Sequence, residues 1–153
     1  MSAKRLGDRL LLAASFALAI LWLGMLTGVS FVATPVKFTA PSLELGPALE
    51  VGRATFALFS RLEWGLALLV AAATSLAPAP RPLLLPVVAL AVIIVFQAGW
   101  LLPALDARVA AVLTGTAPPP SWHHAGYALL EGAKALLLLS IALIAAARLA
   151  KIR

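Results

Sequence analysis

The chain has 153 residues, 63% of them apolar and 12% charged, with a mean hydropathy of +1.03 and a formal charge of +6. A soluble domain is about 45–50% apolar and about 25% charged, so the composition excludes an ordinary soluble globule and places the chain in the membrane class, as one domain. Cysteine is absent, which excludes disulfides, thiolate metal sites and a cysteine nucleophile.

An apolar stretch of about 20 residues crosses the hydrocarbon as a helix, and such stretches are predicted at residues 10–33, 58–77, 83–102 and 125–147. The first follows Lys4, Arg5 and Arg9, as a signal peptide would. It is longer than the ~7–15 apolar residues of a cleaved signal and lacks a small-residue cleavage site, so it reads as a retained signal anchor. Pro35 and Pro41 follow it, and Pro47 suits the first turn of the second helix. The run Ala77-Pro78-Ala79-Pro80-Arg81-Pro82 separates the second span from the third. Gly115 and the prolines 118–120 end an extension of the third, and Ser121 offers an N-cap to the fourth. The expected fold is all-α: an integral membrane four-helix antiparallel bundle with short loops.

Charge sets the expected orientation. With four spans, the N-terminus, the second loop and the C-terminus share a side. That side carries Lys4, Arg5, Arg9, Arg81, Arg148, Lys151 and Arg153 against Asp8, a net +6. The opposite loops carry Lys37, Arg53 and Arg108 against Glu44, Glu50 and Asp106, which cancel. Short Lys/Arg-rich loops stay cytoplasmic, so both termini are expected inside, in a bacterial inner membrane. The pI near 10.9 follows from topology and does not indicate nucleic acid, because no basic stripe with interleaved aromatics is present.

Arg61, Glu63, Glu131 and Lys134 remain, at positions otherwise fit for lipid. A charge at bilayer depth costs at least ~2.5–3.5 kcal/mol on insertion scales, so such residues mark functional sites by default. Counting ~1.5 Å per residue from the inner helix ends puts Glu63 about 22 Å up, Glu131 and Thr27 about 25 Å, and Lys134 and Gln97 about 21 Å. One polar group from each helix thus falls in a common layer, with Arg61 at similar height. His124, Tyr127, Glu131 and Lys134 are spaced three, four, three, and Thr27, Ser30, Thr34 and Lys37 repeat that spacing, as do Arg53, Phe56, Ser60 and Glu63. Residues three and four apart share a helix face. The pattern predicts a polar funnel open to the outside, with Arg61, Glu63, Gln97, Glu131, Lys134 and Thr27 at its floor. Asp106, Arg108, His124 and Tyr127 would line its mouth.

The remaining signals are weaker. Gly24 and Gly28 form a small-x-x-x-small motif that lets a helix approach closely, and packing within the bundle is the expected use. His123 and His124 are adjacent, so they point ~100° apart on a helix, and no metal site or haem ligation is expected. The serines have no His/Asp constellation, and no catalytic set or cofactor is assigned.

Several motifs resemble the transmembrane-protein-205-like family and its bacterial relatives. They are Gly24-x-x-x-Gly28-x-x-Phe31, Arg53-x-x-Phe56-x-x-Phe59 leading into Glu63, and Trp100-Leu101-Leu102-Pro103-x-x-Asp106-x-Arg108. In the fourth helix, His124-x-x-Tyr127-x-x-x-Glu131-x-x-Lys134 looks like the bacterial branch. The resemblance covers most of the chain, roughly residues 21–139. It implies a four-helix integral membrane protein of undefined biochemical activity, with transport or trafficking suggested by a eukaryotic member linked to platinum-drug resistance. Eukaryotic members have a long connection before the last helix, where this chain has a short Pro-rich one.

Two functions are therefore expected. One is a non-enzymatic membrane protein whose outward-facing pocket binds a small ligand, ion or proton in a transport or resistance role. The other is an accessory subunit bound to a membrane-protein partner, its buried charges being an ion-pair network that sets helix register.

Overall fold

The structure is a computed structural model describing residues 2–152. Among these residues it contains four long helices: α1 (Ala3–Thr39), α2 (Leu45–Leu76), α3 (Arg81–Leu113) and α4 (His123–Leu149). Each is long and apolar enough to cross a membrane. The first three helices run well past their apolar stretches, through Thr34 in α1, Glu50 and Arg53 in α2 and Asp106 in α3.

Local chemistry explains the boundaries. The Ser2 hydroxyl caps α1, accepting the Arg5 N–H at 3.4 Å. Pro47 and Pro82 lie in the first turns of α2 and α3, where a missing N–H leaves nothing unpaired. The α2–α3 turn places Ala79 at φ 48, a left-handed conformation wedged between Pro78 and Pro80. Arg148 of α4 donates to the carbonyls of Pro78 and Ala79, so the inner end of α4 is tied to that turn.

Pro35 does not end α1, contrary to its reading as punctuation. The chain passes through it by widening. A π-helical turn spans Thr27–Ala33 in α1 and another spans Gln97–Leu101 in α3, and in each case a proline, Pro35 or Pro103, follows two residues later. A proline ring in a regular α-helix clashes with the carbonyl four residues back. Here those carbonyls belong to Phe31 and Gly99, both inside the widened turns. The π-turn is the accommodation, as π-bulges at kinks and functional sites commonly are.

The helices pack in a ring, α1 against α2 and α4, and α3 against α2 and α4. The inner half is closed by an apolar core of Leu12, Ala19, Val70, Leu83, Leu90, Leu138 and Ile141. The outside is greasier than the surface of a soluble protein: Leu68 is 70% exposed, Leu129 74% and Leu85 77%. Such large apolar patches mark a surface meant to be covered, and they occur on α2, α3 and α4 alike.

Candidate functional site

Above the apolar core lies a layer of buried polar side chains. Lys134 and Glu131 are fully buried, Gln97 is 2% exposed and Glu63 3%. The Lys134 ammonium donates to Glu63 Oε1 at 2.5 Å and stands 2.7 Å from Glu131 Oε1. Glu131 also accepts the Gln97 amide on Oε1 at 2.9 Å and the Ser30 hydroxyl on Oε2 at 2.8 Å. Glu63 Oε1 takes a further bond, from the Trp22 indole at 3.1 Å. All four helices therefore contribute: Trp22 and Ser30 from α1, Glu63 from α2, Gln97 from α3, and Glu131 with Lys134 from α4.

Both π-turns serve this layer, since Ser30 and Gln97 lie within them. The local chain is thus built so that proline-induced widening and the placement of two Glu131 donors coincide.

The charge count is unbalanced. Two carboxylates face one ammonium, a formal charge of −1. Gln97 Oε1 is buried without a hydrogen-bond partner among the described residues, so the site has acceptors in excess as well. Turning the amide over would set its oxygen against the Glu131 carboxylate, so the excess is inherent in the site.

Two adjoining clefts lead towards this layer from the outer end. The larger, of about 310 Å³, lies between α1, α2 and α4 and has Glu131 at its floor. Phe31, Phe38, Phe56 and Tyr127 wall it, with Ser30, Thr34 and His124 as polar lining. Tyr127 is held edge-on to Phe56, with ring centroids 5.1 Å apart. The smaller, of about 100 Å³, shares Thr34, Phe38, Phe56, His124 and Tyr127 and extends to Lys37, Arg53 and Asp106. Arg53 and Asp106 pair at 3.6 Å across its rim. The Lys37 ammonium lies where a side chain on Gly52 would project, and 4.9 Å above the Phe38 ring.

No protein-family model, curated protein or solved structure matches this chain.

Of the residues expected from sequence, Glu63, Gln97, Glu131 and Lys134 come together, and Asp106, His124 and Tyr127 line the clefts. Arg61 does not join them. It is exposed on the outer face of α2, because residues two apart on a helix point to opposite sides and Glu63 takes the inner one. Thr27 is also exposed, its hydroxyl returned to the Leu23 carbonyl at 2.8 Å. Leu26 beside it is buried, and adjacent residues point ~100° apart. Arg108 is not at the mouth; its guanidinium donates to the Pro119 carbonyl at 2.8 Å and secures the Pro-rich connection. Gly24 and Gly28 do not pack within the bundle. Both are exposed, with nothing within 4 Å of a Cβ placed on either, because Trp22 and Leu26, two residues away, hold the buried face.

Trp22 and Ser30 were absent from the expected floor. The signal for Trp22 was its chemistry: an indole N–H in a buried span is a donor that needs an acceptor. Ser30 already stood in the three-four polar stripe, but depth counting favoured Thr27.

Proposed function

We propose that the chain is an integral inner-membrane protein, a four-helix antiparallel bundle with both termini cytoplasmic. Its outer clefts give access to a carboxylate site that exchanges a proton for an external cation, in a transport or resistance role. The observation carrying this reading is the unpaired charge: Glu63 and Glu131 around Lys134, with Arg61 facing away. A net charge in a low-dielectric interior is costly and is removed by proton uptake or by a counter-ion. One proton on either carboxyl, or one cation in the cleft, brings the site to neutrality. The orientation rests on the +6 imbalance of the loops. Membership of the transmembrane-protein-205-like family is carried into this proposal on its motifs alone.

Difference infrared spectroscopy on the purified protein tests it. The wild type should show the carbonyl band of one protonated carboxyl group that disappears as pH rises. Glu63→Gln and Glu131→Gln should each lack it, since either leaves one carboxylate to one ammonium. A wild-type spectrum without such a band across the physiological pH range would count decisively against exchange.

A second reading has support of its own. Trp22, Ser30 and Gln97 orient the carboxylates as firmly as a structural ion-pair knot requires, which suits an accessory subunit whose buried charges set helix register. On that reading the cluster would not titrate, and mild-detergent purification would bring a companion membrane protein.

A further inference from the structure

We infer that the cation taken up by the larger cleft is a small organic ammonium ion, bound among aromatic rings with its charge against Glu131; this rests on the exchange site proposed above. The two clefts differ in formal charge. The lining of the smaller carries Lys37, Arg53 and Asp106, a surplus of one positive charge. Among Asp, Glu, Lys and Arg, the lining of the larger carries Glu131 alone. A cation is thus repelled by one and attracted by the other.

The wall chemistry narrows the class. A metal cation such as sodium or calcium replaces its hydration shell with about six or more oxygens. The larger cleft offers oxygen side chains only from Ser30, Thr34, Tyr127 and Glu131, and no cluster of three His, Cys, Asp or Glu side chains exists among the described residues. Phe31, Phe38, Phe56 and Tyr127 supply aromatic surface instead. Ring faces attract alkylammonium groups, whose charge is spread over carbon and needs no shell of oxygens. The volume of about 310 Å³ sits at the lower end of ligand pockets, ~300–1,000 Å³, so the ligand is small.

The route follows from exposure. Phe31 is 43% and Phe38 50% exposed, and Ala128 is exposed on the α4 side of the same cleft. The opening therefore lies between α1 and α4 at the outer membrane interface, where amphiphilic ammonium ions partition. On binding, the ammonium takes over the counter-charge role and one proton leaves the carboxyl pair for the solvent. No bond to carbon is made or broken.

The test is a calorimetric titration of the purified full chain in nanodiscs with benzyltrimethylammonium. Its uncharged carbon isostere, neopentylbenzene, serves as the comparison. Saturable binding of the cation is expected, with a signal the isostere does not give. Affinity should weaken by about tenfold per pH unit on acidification, as one-for-one proton competition requires. Glu131→Gln should abolish binding. Ala128→Trp, which sets an indole into the cleft and keeps all the cluster's charged groups, should weaken it at least about tenfold while the titrating carboxyl band is retained. Equal binding of cation and isostere, or cation binding indifferent to both variants, would show partition into lipid and overturn the inference. A titrating carboxyl band with no benzyltrimethylammonium binding would also overturn it, yet leave the exchange site standing. Loss of the band in the wild type would remove the exchange reading itself.

Discussion

At the scale of single residues, the buried cluster makes an asymmetric forecast. Lys134 is fully buried between two carboxylates. Replacing it with methionine leaves two acids and no base, a formal charge of −2, and breaking a buried pair costs about 3–5 kcal/mol. Replacing one glutamate by glutamine leaves a one-to-one pair with its hydrogen-bonding shape kept. Lys134→Met should therefore fail to accumulate as folded protein or unfold at much lower temperature. Glu63→Gln and Glu131→Gln should melt within a few degrees of wild type, as followed by circular dichroism in detergent. Equal loss in all three variants would mean that both carboxylates are ionised and needed for folding. The residues of this cluster were legible in the sequence because each is costly in lipid. Their partners were less so. The i, i+2 relation that sends Arg61 away from Glu63 is written in the numbering, and applying it at Arg61, Gly24 and Gly28 would have separated inner from outer positions. What depth counting misses is rotation: Thr27 and Ser30 differ by only about 4.5 Å in height, and facing, not height, decides between them.

At the scale of elements, the helices existed in the sequence as apolar runs, while their continuity did not. Pro35 reads as a helix breaker, and the π-turns that absorb it and Pro103 have no compositional signature. The inward-facing repeat of α3 passes through the turn without a break. In α3 the buried positions Leu83, Pro86, Leu90, Ile94, Gln97 and Leu101 follow a three-four spacing. The cleft-facing Leu105 and Val109 continue that series from Leu101 in steps of four. The inner turn carries a separate prediction. Arg148 satisfies the carbonyls of Pro78 and Ala79, in a turn that has no N–H at either proline. A charged donor of this kind contributes about 1.5–3 kcal/mol when buried, and less here because the site is partly exposed. Arg148→Ala should lower stability by about 1 kcal/mol. Ala79→Gly should raise it by up to about 1 kcal/mol, because a left-handed alanine costs about 1–2 kcal/mol, partly offset by the greater freedom of an unfolded glycine. Detergent-resistant thermal melts of the two variants, moving in opposite directions, check both.

At the scale of the whole molecule, the inner and outer ends are chemically different machines. The inner half is sealed by leucine, valine and isoleucine, and its loops hold the basic surplus; the outer half is opened by clefts and its loops are neutral. A closed inner end beneath a carboxylate site makes sense only with a defined orientation, because the clefts decide which compartment the site samples. The absence of cysteine makes that orientation directly measurable. Ser2, Ser42, Thr116 and Ala150 are exposed at helix ends or in connections, so single substitutions to cysteine leave the core untouched. In intact bacterial cells, a membrane-impermeant maleimide should label Ser42→Cys and Thr116→Cys, while Ser2→Cys and Ala150→Cys should react only after permeabilisation. The reverse pattern would place the clefts on the cytoplasmic side and turn the exchange site inward. Labelling of all four in intact cells would show that the helices are not a single inserted population. The first pattern is the one expected from the loop charges, because the basic surplus of +6 lies on one side and short Lys/Arg-rich loops stay cytoplasmic.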